Sequence, residues 1–137
     1  MEPEPAVPEP EHRLAILVVE DNREARDRIC TELRRRGCRV VVTTDGAAGL
    51  EAVVLERFDA IVTDVEMLPR GGLWLWREAT TLRPELRGRF VFCSPDSLPP
   101  TADGPWRGER WVGGRPGSGL LWAEILAVIE PGAAAAS

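Results

Sequence analysis

The sequence predicts an α/β protein built on a doubly wound, five-stranded parallel sheet. Three observations predict it. Short apolar or β-branched runs alternate with longer segments of helical periodicity. The first run, Leu14–Val19 (LAILVV), is continuously apolar, as a strand buried on both faces requires. Three of the runs lead directly into polar residues, at Glu20, Asp64 and Ser94, which gives the sheet one chemically marked edge.

After the first strand, helical sequence runs from about Asn22 to Arg36. Ala25, Ile29 and Leu33 recur every four residues, and Gly37 supplies the stop. Arg39–Thr44 (RVVVTT) is a second strand. Asp45 can cap a helix that runs to about Arg57, with Ala48, Ala52 and Leu55 on its inner face. Asp59–Thr63 is a third strand ending at Asp64. A loop with Pro69, Gly71 and Gly72 leads to a helix from about Leu73 to Leu82. Arg89–Cys93 is a fourth strand ending at Ser94, and a weaker fifth lies near Glu109–Val112. The last helix spans about Ser118 to Glu130, with Leu121, Ile125, Val128 and Ile129 on one face, and Pro131 ends it. Residues 95–108 (PDSLPPTADGPWRG) hold too much proline and glycine for a stable helix. The fourth helix is therefore expected to be degenerate.

A length of 137 residues suits one domain. Residues 1–12 alternate Pro and Glu and read as a disordered tail or linker, residues 13–131 as the domain, and residues 132–137 as a second disordered tail. The net charge of −5 argues against nucleic acid as a partner. The basic run Arg34–Arg36 falls at a helix end, where it complements the dipole. No apolar run reaches the about 18 residues that span a membrane. The three cysteines, Cys30, Cys38 and Cys93, lack zinc spacing and read as reduced thiols of a cytoplasmic protein. The single histidine, His12, lies in the Pro-rich tail, which leaves no His-rich metal site.

In an open α/β sheet, ligands bind beyond the carboxyl ends of the strands. The first strand delivers Glu20 and Asp21 there, the third Asp64 and the fourth Ser94, while the fifth leads to Arg115. Three adjacent carboxylates repel one another. A hard divalent cation relieves this, and carboxylate oxygens with water are what Mg²⁺ prefers. An ionised Asp64 can then attack phosphorus, with a hydroxyl and a fixed cation holding the phosphoryl oxygens.

The segments ILVVEDN (residues 16–22) and VTDVEM (62–67), with Ser94 and Arg115-Pro116, resemble the receiver domain of two-component response regulators. The resemblance covers about residues 13–130. Ser94 lies 30 positions after Asp64 and Arg115 lies 51 after it, separations close to those usual in the family. The resemblance implies a flavodoxin-like receiver fold. It also implies a phosphorelay role in which Asp64 accepts a phosphoryl group from a histidine kinase or phosphotransfer protein. Glu20, Asp21, Asp64 and the backbone carbonyl of Glu66 would hold Mg²⁺, and Ser94 and Arg115 would contact the phosphoryl group. Output would pass to an unknown downstream protein, without nucleic acid or membrane. Such a domain signals and is not an enzyme, beyond catalysing its own phosphorylation and dephosphorylation.

The sequence departs from the family in three places. Arg115 stands where Lys is usual, a broad planar fork in place of a compact point charge. Val112 stands where an aromatic switch residue is usual, and the neighbouring Trp111 faces the other way along a strand. The stretch after Ser94 is Pro-rich, with Trp106 and Trp111 placed to cover the core there or to dock a partner. These departures keep open a second reading: a phosphorylation-independent pseudo-receiver that only binds proteins. A phosphohydrolase of the haloacid-dehalogenase type is disfavoured, because Glu66 stands where a second aspartate is needed. A nucleotide-binding fold is disfavoured because EDNRE, not a glycine-rich loop, follows the first strand.

Overall fold

The structure is a computed structural model that describes residues 13–65, 67, 70–94, 108–113 and 119–129, with Ser94 described in its backbone only. In chain order the elements are β1 (Ala15–Val19), α1 (Arg23–Arg35), β2 (Arg39–Thr43), α2 (Gly46–Leu55), β3 (Ala60–Asp64), α3 (Gly72–Leu82), β4 (Phe90–Ser94), β5 (Arg110–Gly113) and α4 (Leu120–Ile129). All strand pairs are parallel, in the order β2-β1-β3-β4-β5. This is the doubly wound sheet the sequence predicts, with its strand order reversing beside β1.

The strand alternation divides the core between two faces. Ile16 and Val18 of β1, Val62 of β3 and Val91 of β4 pack with Ile29 and Leu33 of α1 and with Leu121, Ile125 and Val128 of α4. Leu17 and Val19 of β1, Ile61 of β3 and Phe90 and Phe92 of β4 pack with Val53 of α2 and with Leu75, Trp76 and Ala79 of α3. β1 lies inside the sheet, so both its faces are covered, and Ile16, Leu17, Val18 and Val19 are wholly buried. Each such side chain contributes about 1.5–3 kcal/mol.

Local chemistry sets the ends of the elements. The Asn22 side chain accepts a hydrogen bond from the Ala25 N–H at 2.9 Å and caps α1. Gly37, at φ 83°, reverses the chain after that helix. Asp45 caps α2 through the Ala48 N–H at 2.8 Å. Arg36 pairs with Glu32 and also stacks over the Trp122 ring, 4.9 Å from its centroid, so the basic run ties α1 to α4 as well as complementing a dipole. Cys30, Cys38 and Cys93 are buried free thiols, as read from the sequence. Among the described residues no helix is long and apolar enough to cross a membrane.

Several sequence expectations need adjustment. Leu55 does not face inward: it is 75% exposed, and Gly46, Gly49 and Val53 make the buried face of α2. That helix (GAAGLEAVVL) is apolar nearly all round, so its period does not reveal which side is buried. The helix also stops at Leu55, short of Arg57. β4 and β5 each begin and end one residue later than expected, and a short 3₁₀ turn, Pro84–Leu86, precedes β4. Within β5 the two neighbours part as the strand period requires. Val112 is buried against the α1/α4 face, and Trp111 lies against Phe92 on the α2/α3 face with ring centroids 4.7 Å apart. Trp111 thus covers core beside β4. The expected degenerate crossover, residues 95–108, lies outside the described residues except for Gly108, and the expected tails, residues 1–12 and 132–137, lie outside them altogether.

Candidate functional site

The carboxyl ends of β1 and β3 bring three acids together. One carboxylate oxygen from each of Glu20, Asp21 and Asp64 lies within 4.8 Å of the other two. Asp21 is exposed, whereas Glu20 and Asp64 are only 5% and 9% exposed. The site is therefore an acidic pocket with one open lip.

The backbone holds each acid in place. The Glu20 N–H donates to the Thr43 carbonyl at 3.1 Å, which extends the β1–β2 ladder by one residue and fixes where the carboxylate emerges. The Asn22 N–H donates to Glu20 Oε1 at 3.0 Å. Asp64 is in register with Cys93, and the next residue, Val65, donates its N–H to the Cys93 carbonyl at 3.2 Å. The loop after β3 folds back tightly: the Gly72 N–H donates to the Val65 carbonyl at 3.1 Å. A Cβ at Gly72 would lie 2.4 Å from the Asp64 carbonyl oxygen, so only glycine permits this approach. Gly46 plays the same part from α2, with its N–H donating to the Arg70 carbonyl at 2.8 Å.

The electrostatics are those of crowded acids. Burial is the largest cause raising the Glu20 carboxyl to about 7, opposed by the Asn22 N–H and reinforced by the charge of Asp64 and by hydrogen bonds with Asp64 and Asp21. The Cys93 thiol beneath the site is pushed up to about 12, first by burial and then by the charges of Glu20 and Asp64. Cys93 is thus a buried packing residue and not a nucleophile.

Of the residues singled out from the sequence, Glu20, Asp21 and Asp64 converge. Ser94 ends β4, its backbone in register with Gly113 of β5, which places it at the same edge of the sheet. Glu66, Arg115 and the Ser94 side chain lie outside the described residues. The backbone amide of Asn22 and the close-packed Gly46 were not assigned to the site from the sequence, and Gly72 was read only as part of the loop after Asp64. The signal for Gly72 was present in its place just before a helix that follows the third strand, but its contact with the Asp64 carbonyl depends on how the loop folds back.

A parallel sheet of order 2-1-3-4-5 with clustered acids at its carboxyl edge defines a flavodoxin-like domain with an acidic pocket. Residues 16–94 match the response regulator receiver domain family, and the chain belongs to it. The response regulator receiver protein CpdR of Brucella abortus is 31% identical over 91 residues, which cover 66% of this chain and 76% of that protein. The other curated relatives it matches are transcriptional regulators, and the chain spans 17–25% of their length. Among solved structures, a response regulator receiver protein of Sinorhizobium medicae superposes with a TM-score of 0.78 at 19% identity, over 88% of this chain and 97% of the other. The receiver domain of the sensor histidine kinase PA1611 of Pseudomonas aeruginosa, described with magnesium coordinated in its active-site cleft, superposes with a TM-score of 0.70 at 23% identity, over 84% and 95%. These two likenesses establish the fold. The family places the chain in two-component signalling, among domains not generally classed as enzymes.

Proposed function

We propose that the chain is a phosphoacceptor receiver: Asp64 takes a phosphoryl group from a histidine kinase or phosphotransfer protein, with Mg²⁺ held by Glu20, Asp21 and Asp64. The observation that carries the proposal is the convergence of three carboxylates, two of them buried, within 4.8 Å of one another. The donor set fits the ion. All three ligands are hard oxygens, and burial, reinforced by the charge of Asp64, disfavours the ionised Glu20 carboxyl, a penalty that a bound cation would offset. Bound Mg²⁺ offsets the charge of the carboxylates and of an incoming phosphoryl group. The backbone carbonyl of Glu66 is a further ligand in this reading, and Ser94 and Arg115 hold phosphoryl oxygens.

The chain's own residues do the rest. The parallel pairing of β1 with β3, with Val19 opposite Thr63, fixes the separation of the two acidic strand ends, and the tight turn at Gly72 holds the Asp64 backbone. An Asp64 carboxylate oxygen attacks phosphorus. The bond from phosphorus to the donor's histidine nitrogen breaks, that nitrogen keeps the electron pair, and an acyl phosphate forms on Asp64. Signalling then proceeds by protein–protein contact in the cytoplasm.

One observation favours a second reading, the phosphorylation-independent pseudo-receiver. At the usual switch position Val112 is buried among aliphatic side chains, and the adjacent aromatic, Trp111, is engaged with Phe92 on the opposite face. Incubation with a labelled small phosphodonor, with and without Mg²⁺, separates the two. The phosphoacceptor reading predicts Mg²⁺-dependent label in the natural chain. Label gained only in Arg115→Lys assigns the natural chain to the pseudo-receiver reading.

A further inference from the structure

At the end of the sheet opposite the acids lies a cleft of about 430 Å³. Five arginines line it: Arg13 before β1, Arg39 at the start of β2, Arg57 before β3, and Arg83 and Arg89 on either side of the turn before β4. Three carboxylates share the cleft, and each is engaged. Glu56 receives Arg39 at 3.2 Å, Asp59 accepts the Ala15 N–H at 2.8 Å, and Glu85 lies 4.0 Å from Arg83. Arginine donors remain in excess, since a guanidinium carries five N–H groups in a fixed fork. Arg83 and Arg89 otherwise reach only the carbonyls of Val54 and Asp59, at 3.2 and 3.4 Å, and Arg57 forms no ion pair among the described residues.

The chain as a whole carries a net charge of −5, yet here, even leaving out Arg13, which is itself engaged, cations outnumber acids four to three. Cations gathered around a recess repel one another unless an anion joins them. The recess is floored by Val53, Phe58 and Leu86, which are buried and apolar. Arginine forks at the rim match the planar geometry of carboxylate and phosphate, and the apolar floor suits the body that carries such a group.

We propose that this cleft binds a small organic oxyanion, a phosphate or carboxylate on a compact apolar body, through Arg57, Arg83 and Arg89. The site is independent of the acidic pocket, so it stands whether or not Asp64 accepts a phosphoryl group.

Calorimetric titration of the full chain in EDTA, with phenyl phosphate, benzoate and inorganic phosphate in turn, tests it. At least one organic probe is expected to bind saturably at one site per chain, and the stronger of the two tells phosphate from carboxylate recognition. Inorganic phosphate, which lacks the apolar body, should bind about tenfold more weakly or not at all. Arg57→Glu should weaken the organic probe about tenfold or more; its side chain is exposed and holds no ion pair among the described residues, so the fold should persist, as circular dichroism would verify. Arg28→Glu, on α1, should leave binding unchanged. The proposal is overturned if neither organic probe binds, if inorganic phosphate binds as well as they do, if Arg57→Glu has no effect, or if Arg28→Glu weakens binding equally.

Discussion

Glu20 concentrates the electrostatics of the acidic pocket in one residue. Its carboxyl is raised from 4.5 to about 7 in the folded chain, chiefly by burial. Between those values the folded state holds a proton that the unfolded state releases, so stability falls as pH rises through this window and levels off above it. A bound cation favours the ionised form and works in the opposite direction. Thermal unfolding in EDTA should therefore give a falling melting temperature from about pH 4.5 to about pH 7 from this group. Mg²⁺ should raise the melting temperature more above that window than below it. Equal stabilisation by Mg²⁺ at both ends would mean that Glu20 does not sense the ion.

Glu109 is a buried acid of a different kind. It accepts the N–H groups of Gly88 and Phe90 at 2.7 and 2.9 Å, tying the entry of β4 to β5. Glu109→Ala would leave both donors unpaired, at a cost of about 2–4 kcal/mol in denaturant unfolding, and Glu109→Gln should recover part of it. The two cases show what a sequence reveals of single residues. Glu20, Asp21 and Asp64 were legible because each follows a recognisable strand and the topology sends those ends to one place. Glu109 was not, because a lone acid at the start of a weak strand carries no period and its partners are main-chain groups 19 and 21 positions away.

At the scale of elements, the loop after β3 governs the site. Gly72 opens α3 directly against the Asp64 carbonyl. Gly72→Ala has no room for its Cβ, so either the β3 end or the start of α3 must move. Overpacking of this kind costs about 1–3 kcal/mol. Loss of Mg²⁺ affinity in that variant should accompany the fall in stability, because the displaced backbone belongs to Asp64. A stable Gly72→Ala chain with unaltered Mg²⁺ binding would show that the loop does not position the acid. The strands, the cap at Asp45 and the stop at Gly37 were legible, since each depends on local chemistry. The inward face of α2 was not: its apolar residues surround the helix, and only the packed sheet selects Val53 over Leu55.

Across the whole molecule, the parallel sheet separates two chemistries by the length of its strands. Acids gather at the carboxyl ends and arginines at the amino ends, about 17 Å apart along strands of five residues. The parallel sheet was legible from the alternation of elements and the receiver-type fold from the family resemblance, whereas alternation alone leaves the strand order 2-1-3-4-5 open. The arginine cleft was not legible: its five arginines are scattered from position 13 to position 89 and meet only when four successive strand starts are aligned. At the other end stands the central proposal, that Asp64 accepts a phosphoryl group. Its most direct test is to treat the chain with Mg²⁺ and a small phosphodonor, reduce with borohydride, and map the reduced residue by peptide mass spectrometry. The account predicts reduction at Asp64 alone, dependent on Mg²⁺ and absent in Asp64→Asn. Reduction at another acid, or none in the natural chain, would contradict it.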